Sequence, residues 1–312
     1  MALISIIIPI YNTKTSLLKE ALNSVLNQTL NDIEIIVIDD KSTINYEQEL
    51  KEYIQNPKII LYKNDKNEGS GEARNKGLHI AKGEYIAFLD ADDFYIDNNC
   101  LQKLYDIAKN TQQNIIGGKP FVKREETLED LTWSYENAEK LYTNKILNYS
   151  DVQICYGYWN YIYKRTFLIE NNLYFNNLKR FQDPLWLYDT LTKNGNYYSS
   201  DVHFYAHRER KLISFNWTEE TLKDYFKGFA LLVQKTNDDK NYDLHKYLYR
   251  KALNWEFKLY INAREELGVN MSNELENLLN SFNFEIIKNL PIFKSVADLN
   301  NINFEDLKQF DY

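Results

Sequence analysis

The sequence predicts an α/β fold: a doubly wound, mostly parallel sheet with a helical C-terminal region. Three observations carry that expectation. Apolar runs of strand length alternate with helical apolar spacing as far as Ala108. Several of those runs end in acidic or polar residues, where sheets of this class bind ligands. From Thr218 onward only helical periodicity remains.

Residues 3–9, Leu-Ile-Ser-Ile-Ile-Ile-Pro, form an unbroken apolar run, the pattern of a strand buried on both faces. Helical spacing follows at Leu17, Leu18, Ala21, Leu22, Val25 and Leu26. Ile33–Ile38 reads as a second strand and ends in Asp39-Asp40; Tyr46–Ile54 reads as helix and Ile59–Tyr62 as a third strand. After a polar loop, Glu72–Ile80 is helical, Tyr85–Leu89 is the fourth strand, and Leu101–Ala108 is again helical. Residues 119–151 are polar and mixed, and fit a long loop or short strands equally. Residues 155–165 are dense in aromatics, which core packing explains better than sugar stacking for most of the rings. Thr218 suits an N-cap, with Glu219 and Glu220 in the first turn and an apolar stripe at Leu222, Tyr225, Phe226, Phe229, Leu232 and Val233. A second stripe runs from Leu244 to Leu259, and Ser272 is placed to cap a third helix carrying Leu275, Leu278, Leu279 and Phe282.

The turn after the fourth strand holds Asp90, Asp92 and Asp93. Three carboxylates crowded there repel one another unless a divalent cation carrying a polyphosphate sits among them. Pro9–Asn12, Asp39–Asp40 and Asp90–Asp93 all lie at carboxyl strand ends, so one crevice should gather them.

A net charge of −8 and a pI near 5.2 argue against nucleic acid as a partner. Cys100 and Cys155 make neither a zinc pattern nor a disulfide framework, so a reducing, cytoplasmic setting is expected. The apolar N-terminal run is too short for a signal peptide, and no segment approaches the roughly 20 apolar residues of a membrane helix.

As a set, Ser-Ile-Ile-Ile-Pro-Ile-Tyr-Asn at 5–12, Ser24–Thr29, Glu34–Asp40, Asn67–Gly69, Ala73–Asn75 with Gly77, and Gly83–Asp93 resemble the family-2 glycosyltransferases. These are inverting enzymes of the GT-A fold, here of the bacterial surface-polysaccharide type. The resemblance is continuous over residues 3–97. It implies a UDP-sugar donor, an oligosaccharide or lipid-linked glycan acceptor in capsule or lipooligosaccharide synthesis, and Mn²⁺ or Mg²⁺. Pro9, Tyr11 and Asn12 would then line the nucleotide pocket, with Asp39 and Asp40 at the base and Arg74 approaching base or diphosphate. Asp90 would lie by ribose and metal, and Asp92 would ligate the metal, with His207 as a further ligand. Arg208 and Arg210 would offset diphosphate charge. Where the family usually has Glu-Asp this chain has Gln182-Asp183, and Asp183 is the position of the general base. The implied organisation is a nucleotide-sugar half at 1–118, an acceptor and catalytic half of the same domain at 119–217, and a helical extension at 218–312. Its charged helices suit a homo-oligomer, a peripheral membrane contact or a plain solvated face.

Two other readings compete. Haloacid-dehalogenase phosphatases also place Asp-x-Asp after a buried strand, but at the first strand, with Thr or Val where this chain has Phe94. A catalytically silent relative scaffolding a polysaccharide-assembly complex would not need Asp90, Asp92 and Asp183 together.

Overall fold

The first apolar run forms β1 (Ile4–Ile10), buried at every position except Pro9. It lies between β2 (Ile33–Asp39) and β4 (Tyr85–Phe88), parallel to both, and β3 (Ile59–Lys63) extends the parallel set beyond β2. Pro9 stands just past the last β1–β4 pair, Ile7–Phe88. The Ile7 carbonyl accepts the Leu89 N–H, and alternate residues of a strand address the same neighbour. Pro9 therefore addresses the side that β4 has already left, where its missing N–H costs no ladder bond.

The computed structural model describes residues 2–124, 130–131, 141–209, 217–293 and 295. The chain divides into two compact units, one of Met1–Asn177 with Trp186–Phe215, the other of Leu178–Leu185 with Asn216–Tyr312.

In the first unit the helices are α1 (Thr15–Leu26), α2 (Tyr46–Glu49), α3 (Ser70–Ile80), α4 (Cys100–Thr111), α5 (Tyr149–Val152) and α6 (Arg165–Glu170). The remaining strands are β5 (Phe94–Tyr95), β6 (Ile115–Arg124), β7 (Asp130–Leu131), β8 (Lys145–Asn148), β9 (Tyr161–Lys164) and β10 (Asn196–Glu209). The sheet runs β3-β2-β1-β4-β9-β6-β10-β5, with β7 on β6 and β8 on β10. Beyond β4 it is mixed: β9 is antiparallel to both β4 and β6, whereas β10 is parallel to β6.

One element differs from the sequence expectation, and another settles an alternative that the sequence left open. Helix α2 stops after four residues, and turns carry the chain to Asn56, which the following Pro57 keeps out of helical conformation. The polar stretch after residue 118 opens as the second half of β6, whose Gly117, Gly118 and Pro120 conceal a strand. A Cβ at Gly117 would stand 2.8 Å from the Tyr161 ring, and one at Gly118 2.8 Å from Phe204 Cβ. These glycines are there for side-chain clearance, so β propensity does not reveal the strand.

Helix α7 (Gln182–Asn194) begins in the segment of the second unit and continues into the first. The rest of the second unit is helical: α8 (Glu219–Asp238), α9 (Tyr242–Lys251), a π-helical turn at Ala252–Glu256, α10 (Phe257–Leu267) and α11 (Ser272–Ser281). Thr218 caps α8 as its sequence position suggests, within a reciprocal capping box with Thr221. Among the described residues no helix is long and apolar enough to cross a membrane.

Candidate active site

The carboxyl ends of β1, β2 and β4 meet in the first unit, as the alternation of elements requires. Asn12, at φ +49°, ties the first end to the second: its N–H donates to Ser42 Oγ (2.9 Å), and its Oδ1 accepts from the Thr43 N–H (2.8 Å). Tyr11 beside it is 55% exposed. Asp39 is buried and accepts the Ser42 N–H at 2.8 Å, which makes it a turn-former. Asp40 is also buried, and both its oxygens are engaged: Oδ1 accepts from Asn64 Nδ2 and the Glu68 N–H, and Oδ2 from the Gly69 N–H at 2.7 Å. Its carboxylate thus organises the loop that enters α3.

The Asp90–Asp93 turn is held from several sides. Asp90 Oδ1 accepts from Arg74 Nη2 (2.9 Å) and from the Tyr158 hydroxyl (2.6 Å), and the Asp90 side chain remains 26% exposed. Arg74 is buried, with its guanidinium 4.6 Å from the Tyr158 ring centroid. It positions Asp90 from beneath, a different use from the surface ion pair that a lone arginine usually makes. Asp93 points inward: its Oδ2 accepts from the Tyr205 hydroxyl (2.7 Å) and lies 3.1 Å from His207 Nδ1, and its Oδ1 accepts the Arg208 N–H (2.7 Å). The Tyr205 oxygen in turn accepts the Asp90 N–H at 3.1 Å. Burial, then the charges of Asp93 and Asp90, push the Tyr205 phenol well up, so it stays protonated as donor.

His207 stacks on Trp159, centroids 5.3 Å apart. Burial lowers its proton affinity, but the Asp93 hydrogen bond and the charges of Asp93, Asp90 and Asp92 outweigh that, leaving it above the ordinary histidine value. Arg208 is buried, with Nε on the Asp92 carbonyl (2.8 Å) and Nη2 on Glu20 (2.8 Å). That makes it a strut between the turn, β10 and α1. Arg210 lies outside the described residues. Asp183 belongs to the second unit, in the first turn of α7.

Tyr158, Trp159 and Tyr205 are the site residues that sequence reasoning missed. For Tyr158 and Trp159 the signal was the aromatic run at 155–165, and Tyr205 of β10 had none; rings at core spacing announce packing, and only coordinates reveal which hydroxyls reach carboxylates.

The site's chemistry fits a divalent cation shared with a ligand. Among the described residues no three imidazole, thiol or carboxylate groups cluster tightly enough to hold an ion unaided. Mg²⁺-type ions commonly take one or two protein carboxylates and complete their shell with substrate phosphates and water. With Asp93 turned inward, half-buried Asp92 and the exposed part of Asp90 are the carboxylates that could supply such a hard-oxygen set.

The family profile described as glycosyl transferase family 2 matches residues 5–171, more than half of the chain. The chain belongs to this family. Over 120 residues it is 41% identical to the poly(ribitol-phosphate) beta-glucosyltransferase of Bacillus spizizenii, a span of 37% of this chain and 19% of that protein. It is 30% identical over 186 residues to the uncharacterized glycosyltransferase EpsJ of Bacillus subtilis, covering 58% of this chain and 53% of EpsJ. The chain thus spans about half or less of the length of these relatives. Among solved structures, S. aureus TarS matches the whole chain with a TM-score of 0.72 at 18% identity, over 53% of its own length. TarS 1–349 in complex with UDP-GlcNAc gives 0.65 at 19% identity, over 88% of its length. At such identities the likeness shows the GT-A fold.

Proposed function

We propose that this protein is an inverting, metal-dependent glycosyltransferase. It moves a hexose or N-acetylhexosamine from a UDP-sugar to a hydroxyl of a bacterial surface glycan or polyol-phosphate polymer. The observation that carries this reading is the Asp90–Asp93 turn, where Asp93 is buried as an anchor while Asp90, braced by Arg74, and Asp92 are only half-buried at the strand end. The UDP-GlcNAc complex of TarS supports the donor class, and the poly(ribitol-phosphate) enzyme supports the acceptor class.

Asp183 is the general base in this reading. Its helix also carries Trp186, whose ring stacks on Phe175 and meets Phe88 of β4 edge-on, 5.4 Å between centroids. The carboxylate takes the proton from the acceptor hydroxyl as that oxygen bonds to the anomeric carbon. The bond from that carbon to the phosphate oxygen breaks, and its electron pair leaves with UDP, so an α-linked donor gives a β-glycoside. A cation held by Asp92 and Asp90, with the imidazole of His207 nearby, would offset the charge that builds on the departing diphosphate. Tyr11 and Asn12 line the nucleotide side, and Arg74 acts through Asp90.

The test is Asp183→Asn. Transfer should fall by at least about a thousandfold, while UDP-sugar affinity measured by calorimetry stays within twofold of wild type, on the order of experimental scatter. Near-normal turnover in that variant would overturn the assignment.

A further inference from the structure

The four residues that lead into α7 are each fastened to α8 or to the residue just before its cap. Leu178 packs at Gly228, with Cδ1 3.1 Å from where a Cβ would stand. The Lys179 N–H donates to Asp224 (2.7 Å), and its ammonium pairs with Glu220 (2.8 Å). Arg180 lies over the Trp217 ring at 5.8 Å. Phe181, buried, adopts φ +68°, a left-handed conformation that a bulky residue keeps only when its surroundings impose it.

What imposes it is one face of α8. Tyr225, Gly228 and Phe229 sit at spacings of three and four residues, so they share that face. The Phe181 ring meets Tyr225 edge-on at 5.1 Å and Phe229 at 5.4 Å. Any Cβ at Gly228 would stand 2.8 Å from Phe181 Cβ. A glycine in mid-helix is unfavourable on propensity grounds, so the notch has a use. Behind it, the Tyr225 hydroxyl donates to fully buried Glu256 (2.6 Å), and Lys251 pairs with the same oxygen. Glu256 closes a π-helical turn, a feature that often marks functional places. Burial first, then the charge of Glu256 and more weakly that of Asp183, push the Tyr225 phenol up, so Asp183 lies within electrostatic reach of this assembly.

We propose that Phe181 and Gly228 are positioning residues for transfer: ring and notch lock the backbone two residues before Asp183 and so aim its carboxylate. This rests on the reading of Asp183 as base and assigns the helical unit a part in the chemical step.

The experiment is Gly228→Ala, which pushes Phe181 out of place without touching donor-binding residues. The expected result is kcat lowered about ten- to a hundredfold, as misplacement of a catalytic group by about an ångström produces. Donor KM and calorimetric affinity should hold at wild-type values, with the acid limb of the kcat–pH profile displaced. Adding Phe181→Gly, which removes the colliding side chain and accepts φ +68°, should recover part of the loss. Should Gly228→Ala melt below the assay temperature, Phe181→Leu carries the same readouts in its place. Wild-type kcat in a folded Gly228→Ala enzyme, or a fall in kcat matched by lost donor affinity, overturns the proposal. Asp183→Asn run alongside separates the two readings. If it is inactive while Gly228→Ala is normal, only the positioning idea fails; if it is active, the base assignment fails.

Discussion

Arg74 shows how much of the site depends on groups that never need to meet substrate. Its guanidinium is buried between aromatic rings and bonded to Asp90, so removing it strands a carboxylate that Tyr158 alone cannot satisfy. Arg74→Ala should cost about 3 kcal/mol in urea unfolding, the low end for breaking a buried pair because Asp90 is partly hydrated. Arg74→Lys should recover little, since an ammonium lacks the planar stacking. His245 offers a test in the second unit. It is fully buried, with Nε2 accepting the Asn283 N–H (3.0 Å), so its proton sits on Nδ1, facing the Val233 carbonyl (3.2 Å). Burial lowers its pKa, more than the Val233 contact raises it. The unfolded chain therefore binds the proton first as pH falls below about 6.5, and the stability contributed by the neutral ring is lost on the acid side. Melting temperature should drop from pH 7 to 5, and His245→Phe, less stable at pH 7, should show a shallower drop. The candidate carboxylates were legible because acidic residues at strand ends are chemically conspicuous. The division of labour among Asp39, Asp40 and Asp93 was not, because a turn-former, a loop anchor and an inward-facing carboxylate look alike in sequence.

At the scale of elements, strands buried on both faces announced themselves: β1, β2 and β4 lie within a residue or so of their apolar runs. Helix α8 was legible from its start, since a threonine ahead of two glutamates and an apolar stripe leaves little choice of N-terminus. Thr218→Ala should destabilise this helix by about 1 kcal/mol, read from the chemical denaturation midpoint, because the Thr221 N–H loses its acceptor. Strand β6 was not legible, because clearance for the Tyr161 and Phe204 side chains dictates its glycines. Helix α2 read too long, because the apolar spacing that suggested helix to Ile54 is carried beyond Glu49 by successive turns.

For the whole molecule, the order β3-β2-β1-β4 brings three strand ends from distant parts of the sequence to one place, which is what the alternation of elements foretold. The mixed half beyond β4 could not be foretold, since antiparallel β9 is inserted between strands that precede it in the chain. Donor binding should depend on a divalent cation: stripping metal with a chelator should weaken UDP-sugar affinity about tenfold or more by calorimetry, on the order of losing one charge-assisted contact. Asp92→Asn should reproduce much of that loss with metal present. A screen of nucleotide sugars for slow, metal-dependent hydrolysis should single out a UDP-linked donor without knowledge of the acceptor.

The inward aspartate has a wider meaning. Three donors from β10 clasp Asp93, so the turn bearing Asp92 is stiffened as the sheet forms, long before any nucleotide arrives. The disorder a flexible acidic loop would surrender on capture has already been surrendered during folding, and under the proposed function more of the attraction for a diphosphate would remain as affinity.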